Sequence, residues 1–433
     1  MTWPTLLALI SVLFLPASLR ADDWPQFRGP TGDGISTAKN LPLHWSTTNN
    51  IAWKAAIPGR GRSSPVILGD RIWLTTAIEI NPRKRIEGSD PVIEVDRAEL
   101  GLVCFQRSNG KQLFHVTLFS VTNPPVAHEL NSYATPTPVA EAGHIYCDFG
   151  TFGTACVEGD TGKVIWENRL PLDHQIGPGS SPVLWKNLMI VVRDGRDRQF
   201  VAALDKETGK LAWQTDRPPI IAGSGNLKKS FSTPIIAEFN GRSQVIVPCA
   251  HWLVSYEPET GRELWRLKHG TGFSIGPRPV AGKDLVYFLT GMNRQLWAVR
   301  PDGSGEVTKT QVAWKSPAQM GTMPSPLLVG QEIYALSDQG LLFCLDAATG
   351  EELGRRGTGG PTASSPLFAD GRIYVFSQKG KGVVLKAGKN LEVLAENQLE
   401  GPLFAVPAAL QDGLYVRTDS HLYCIRELGS QRP

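Results

Sequence analysis

Helix-length amphipathic stretches are missing from this 433-residue chain between residues 50 and 425. Without the 3.6-residue apolar period, helical bundles and alternating helix–strand folds are excluded. Its six cysteines include no adjacent pair and no Cys-x-x-Cys spacing, and none precedes Cys104. That excludes a dithiol redox motif, a zinc ribbon and a lipid-acceptor cysteine behind a leader. The histidines at 44, 115, 128, 144, 174, 251, 269 and 421 show no metal-ligand spacing. Formal net charge is only +3, and it loses one unit with Arg20 of the leader. Nothing in that balance points to nucleic acid or an anionic membrane surface. One apolar run exists, residues 4–19, but prolines interrupt it and it is too short for a comfortable membrane span. Followed by Arg20-Ala21-Asp22, it reads as a secretory signal over residues 1–21, which predicts a secreted or periplasmic mature chain.

What the chain does have is turn chemistry, 44 glycines and 32 prolines, arranged in a repeat. Blocks led by a small or hydroxylated residue and a proline recur: "SSPVILGDRIWL", "ATPTPVAEAGHIYC", "SSPVLWKNLMIVV" and "STPIIAEFNGRSQVIV", then "PRPVAGKDLVYFL", "PSPLLVGQEIYAL", "SSPLFADGRIYVF" and "AVPAALQDGLYVR". The anchors are Pro65, Pro136, Pro182, Pro234, Pro279, Pro326, Pro366 and Pro407. Most are about 40–50 residues apart, a propeller period. Each unit reads as four strands: a proline-led strand, an apolar-aromatic strand, a third ending in "LD", and a fourth carrying Trp166, Trp213 or Trp265 after a "TGK" or "TGR" turn. The last unit stops after "HLYCIR", and the first is preceded by an orphan strand containing Trp53. The expected fold is therefore all-β, an eight-bladed β-propeller of four-stranded antiparallel blades over residues 49–427, closed by an N-terminal strand. Residues 22–48 are expected to form a strap across a face or rim, tacked down by Trp24 and Phe27, and residues 428–433 a tail.

Aligning third strands puts Cys104, Cys156, Cys344 and Cys424 at one position, where other blades carry Ala203, Ser255 and Ala298. Equivalent positions around a ring lie beyond disulfide reach, so these cysteines are expected to be free and buried. The first-to-second and third-to-fourth turns share one face and are short. The other face gathers the long segments 77–100, 115–134, 193–199 and 214–231. Loops without packing duty are where binding residues accumulate, so partner binding is expected there. The residue before the anchoring proline is a hydroxyl in six blades, Val406 in one and Arg278 in another. A guanidinium in a ring of hydroxyls offers a fork to a carboxylate or phosphate. Arg278 is thus a ligand-binding candidate at the channel mouth, with His251 in "CAHWLV" and Asn131 and Tyr133 in "HELNSYATP". No residue reads as catalytic, and none as a metal ligand. "RDGRDR" at 193–198 mimics a calcium loop, but its arginines offset its aspartates.

The "(S/T)P…D(G)RIY…LD…TGK..W" blades and the segment "DWPQFRGPTGDGIS" resemble the quinoprotein dehydrogenase-like propellers, or pyrroloquinoline quinone (PQQ) repeat proteins, over essentially residues 22–425. More narrowly, "NSYATPTPV", "GTACVEGDTG", "GPGSSPV" and "LVSYEPETGRELW" resemble secreted planctomycete propellers. The dehydrogenases of this class imply PQQ with Ca²⁺, an adjacent cysteine pair, an acidic base and an Asn/Asp/Glu calcium set. No residues here match those elements. The propeller subunit of the outer-membrane β-barrel assembly machinery, a non-enzymatic scaffold, uses the same repeats. The resemblance implies a secreted or periplasmic scaffold without its own catalysis, for a protein or small-molecule partner. The alternatives are a PQQ-type oxidoreductase and, further off, a glycan-acting propeller enzyme.

Overall fold

The computed structural model describes residues 23–428, so the leader reading for residues 1–21 and most of the expected tail lie outside the described residues. Within them the chain forms eight four-stranded antiparallel units. Two of these gain a short fifth strand, and one three-stranded sheet stands apart. Helix is limited to three 3₁₀ turns. Blade 3 shows the common plan: Val183–Trp185, Leu188–Asp194, Gln199–Asp205 and Leu211–Asp216, running outward from the axis. Its second strand is buried throughout, while its outermost strand alternates exposed and half-buried residues. That is the pattern of a sheet sandwiched between neighbours with only its outer edge wet.

The anchoring hydroxyls are structural. The backbone N–H of Ser64 donates to Thr137 Oγ1 at 2.9 Å, Thr137 to Ser181 Oγ, and Ser181 to Thr233 Oγ1. Further round, Arg278 donates to Ser325 Oγ, Ser325 to Ser365 Oγ, and Val406 back to Ser64 Oγ at 3.1 Å. All six bonds run in one direction and return to their start, so the blades form a closed ring. The two missing links fall where the acceptor would be Arg278 or Val406, which carry no hydroxyl. Blade 2 joins this ring through Thr137, and its inner strand is Val139–Glu141. Its anchor is therefore Pro138 and not Pro136. A two-residue slip keeps every side chain on its own face of a strand, so alternation cannot detect it.

An early strand and the last strand meet in blade 8. The strand Ile51–Ala56 pairs antiparallel with His421–Ile425, placing Trp53 opposite Cys424. Between blades, each outer indole lies across the third-to-fourth turn of the next blade. Nε1 donates to a turn carbonyl: Trp53 to Arg107 (3.0 Å), Trp166 to Lys206 (2.7 Å), Trp213 to Pro258 (3.0 Å) and Trp314 to Ala347 (3.0 Å). The turn glycines Gly110, Gly209, Gly261 and Gly350 have φ near +70°. A Cβ on any of them would lie 2.3–2.5 Å from an indole carbon. Glycine is required twice over, for the left-handed backbone and for the contact. At the blade 4–5 seam the turn is longer and Gln244 relays instead, accepting from Trp265 Nε1 and donating to Pro301 O.

All six cysteines are free and buried. Cys156 faces Trp166 in register, as Ala203 faces Trp213, Ser255 faces Trp265 and Ala298 faces Trp314. The position is small because an indole packs beside it. Cys147 lies opposite Ala155 and not Cys156, so the blade 2 hairpin does not bring those two thiols face to face.

Two outcomes are expected. Gly261→Ala combines a left-handed alanine, about 1–2 kcal/mol, with overpacking of similar size. The loss should be smaller in a Trp213→Phe background, where the smaller ring leaves room for the added Cβ; urea midpoints compare the two backgrounds, and equal losses in both would overturn the indole–glycine docking. Burial pushes the thiols up, Cys249 to about 12 and Cys104 to about 11. A thiol reagent should therefore find no rapid sites in the native chain and six after denaturation without reductant.

Candidate functional site: the long-loop face

One face of the ring is covered by the chain itself. The strap follows the turn ends of the inner strands. Asp23 accepts from Gly69 N–H in blade 1, and Trp24 bridges Ile67. Pro25 O accepts from Ala140 in blade 2, and Gly34 O from Phe368 in blade 7. Ile35–Ser36 then adds in parallel to the inner strand of blade 7, and Ser36 Oγ donates to Ala409 O in blade 8. Trp45 stacks on Tyr374 and Phe376 before the chain enters its closing strand. Arg278 belongs to this arrangement. It is 3% exposed, and its guanidinium donates to Phe27 O, Gly32 O and Pro234 O.

The opposite face carries the long loops. In blade 1 the second and third strands extend to ten residues each. Between them a hairpin, Arg83–Glu87 with Asp90–Glu94, joins Ala127–His128 to make the separate three-stranded sheet. Arg60 supports it, paired with Glu79 at 3.2 Å and donating to Glu129 O and Asn131 O. Asn131 in turn donates to Ile176 O and Pro178 O, both at 3.0 Å, tying this connection to the next. Tyr133 is fully buried, edge-on to Phe152, and burial pushes its phenol well up. His251 occupies the turn between the second and third strands of blade 4, with φ of 69° and its N–H bonded to Gly272 O. Burial, with Lys268 adding to it, holds its imidazole below the usual range. Asn131 and Tyr133 thus share one connection, while His251 sits in blade 4 and Arg278 faces the strap.

Sequence patterns did not reveal two features. The first is a pair of buried ion pairs made from "RDGRDR". Arg193 grips Asp148 with two bonds of 2.9 and 2.7 Å, and Asp194 is gripped by Arg217 with two of 2.9 Å. All four side chains are 2% exposed or less. They stiffen the loop end of blades 2–4, around a cavity of about 10 Å³ bordered by His174, Ser180 and Ser230. The second is a cleft of about 670 Å³ between the hairpin (Arg85, Glu94), Pro125, Leu172, Arg196 and Arg198. Only the lengths of the insertions hinted at it. Exposed large apolar side chains collect on the same face: Ile80, Ile86 (66%), Leu130, Ile221 (88%), Leu227 and Met292. Among the described residues the other exposed large apolar side chains are Leu113, Ile165, Leu211 and Leu353 on outer strands, and Leu428 past the last strand.

Fold and face together define a propeller of quinoprotein-type repeats, closed by its own N-terminal strand. The chain belongs to the family described as outer membrane protein assembly factor BamB, whose model matches residues 98–294 and 305–401. It is similar to the BamB of Shewanella oneidensis, 25% identical over 66% of this chain and 66% of that protein. The BamB of Legionella pneumophila is 27% identical over 46% of this chain and 49% of that protein. The chain thus spans less than two thirds of the length of these curated relatives. A europium-containing methanol dehydrogenase shares the fold at 11% identity, with a TM-score of 0.64 over 92% of this chain and 90% of that one.

At 11% identity this likeness shows the fold alone. The acids Asp148 and Asp194 are each saturated by an arginine, and Arg278 is held by strap carbonyls. Among the described residues no group of three His, Cys, Asp or Glu side chains is placed to hold a metal.

Two buried histidines, His174 and His269, predict a pH effect, and His174 has the lower pKa of the two. His174 Nε2 accepts from Thr151 N–H at 2.8 Å, and burial, helped by Arg193, pushes its imidazole down to about 3 from 6.5. A depressed folded pKa means stability present above pH 6.5 and lost as pH falls towards 3. His174→Asn keeps an acceptor and should flatten the fall of the urea midpoint between pH 6.5 and 4.5. An unchanged slope would exclude His174 as its source.

Proposed function

We propose that this protein is a secreted or periplasmic interaction scaffold, without catalysis of its own, whose protein partner docks on the long-loop face. The observation that carries this is the one-sided distribution of exposed apolar side chains: Ile86, Leu130, Ile221 and Leu227 stand on loops built on a stiffened ring, while the strap occupies the other side. Exposed apolar groups among polar neighbours are the composition of an interaction patch. Rigid sheets carrying long loops are a common platform for recognition. Membership in the BamB family supports the same reading, with an outer-membrane assembly process as the setting and a protein as the partner.

Site-specific photo-crosslinking in cells tests this. A crosslinker at Leu130 or Leu227 should give a discrete protein adduct, and one at Lys39 on the strap face should not. Ile86→Asp with Ile221→Asp should abolish that adduct and weaken the identified partner's binding at least tenfold, about 1.4 kcal/mol, with the melting temperature unchanged. Equal adducts from both faces would refute the docking assignment. Turnover with added quinone and Ca²⁺ would refute the scaffold reading itself.

A further inference from the structure

Inside the ring, two arginines grip one loop of the strap. The segment 26–34 folds back on itself, with Gly29 N–H bonded to Gln26 O, Gly32 to Gly29 O and Gly34 to Arg28 O, all at 3.0 Å. Arg28, within the loop, has no exposed surface and donates from Nη2 to Asp33 O at 2.6 Å. Arg278 reaches the same loop from blade 5, donating from Nη1 to Phe27 O (2.9 Å) and Gly32 O (3.1 Å), and from Nε to Pro234 O (3.1 Å). Glycine lets both guanidiniums lie this close. A Cβ on Gly32 would sit 2.2 Å from Arg278 Nη1, and one on Gly34 2.7 Å from Arg28 Nη2.

The charges do not balance. Every acceptor in those bonds is a neutral carbonyl. The one neighbouring acid is Asp33, whose Oδ1 is already engaged by Thr31 Oγ1 (2.7 Å) and Ile35 N–H (3.0 Å). Arg28 Nε and Nη1 are buried and have no hydrogen-bond partner. Burial pushes Arg28 down to about 9, with Arg278 lowering it further, and Arg278 down to about 10. Both remain charged at neutral pH. Two buried cations beside a single carboxylate, Asp33, leave one positive charge without a buried counter-charge, which is costly in a protein interior.

We propose that a small oxyanion, a phosphate, a sulfate or a free carboxylate, binds between Arg28 and Arg278 in the central channel and fastens the strap to blade 5. Arg28 offers single donors, the unpartnered Nε–H and Nη1–H on either side of its engaged Nη2, and a charge-assisted bond from one of them to an oxyanion would supply the missing counter-charge. The site lies away from the docking face and does not depend on the partner assignment, so either can fail alone.

Calorimetric titration of full-length mature protein, dialysed into chloride at fixed ionic strength, tests it with inorganic phosphate, sulfate and acetate as separate probes. One saturable site per chain is expected, and the probe that saturates tells an inorganic oxyanion from a carboxylate. Arg28→Gln should weaken binding at least tenfold, and Arg278→Gln likewise if it folds. Asp33→Asn removes the competing carboxylate and should tighten binding several-fold, a result that a merely structural loop would not give. No saturable binding with any probe, or binding unchanged by Arg28→Gln, overturns the proposal.

Discussion

The ring depends on an indole lying across a glycine turn. Trp53, Trp166, Trp213 and Trp314 each bury an aromatic face against the next blade and donate one hydrogen bond to it. A blade has two apolar faces and cannot bury both alone, so neighbours must cover them. The glycine at φ near +70° sets how close they come, because any side chain there would collide with the ring. The small residue opposite each tryptophan, whether Cys156, Ala203, Ser255 or Ala298, follows from the same contact. So does the relay through Gln244 where the turn is too long for direct docking.

Closing such a ring takes the chain's two ends. The same segment that supplies the outer strand of blade 8 first crosses the turn face, bonding blades 1, 2, 5, 7 and 8 on its way. Opening the eighth blade would therefore strip the face as well as the edge. Strap and closure form one cooperative element, and the exposed edge that an open propeller would present never forms.

Much of this was readable from residues. The repeat of proline, "LD" turn, "TG" and tryptophan specified blade number and strand order because each element has a physical task that nothing else in the unit performs. The errors are equally physical. "TPTP" offered two anchors on one face, and only the bond from Ser64 N–H to Thr137 Oγ1 separates them. Arg278 stood out as a charge among hydroxyls, yet its direction depends on the path of residues 26–34, which carry no periodicity. The cleft at Arg85, Leu172 and Arg198 draws on three connections far apart in sequence, and no local pattern reports their meeting.

The division between the two faces has a physical cause. At the four seams closed by a tryptophan the third-to-fourth turn is short because glycine and indole must meet there, and lengthening one would break that seam; the blade 4–5 seam, with a longer turn, is bridged by a glutamine. Loops on the other side meet no such requirement, so insertions collect there at little cost to the ring. Flexible loops alone bind poorly, since ordering them on contact consumes affinity. Here Arg60 braces the blade 1 insertion, Asn131 ties its connection to the next, and two buried arginine–aspartate pairs fix the loop ends of blades 2–4. Such pairs add little net stability over apolar packing but specify one geometry, since a displaced partner leaves a buried charge unpaired. The long-loop face is thus released from the demands of the seams and still held in place, as the proposed docking role needs.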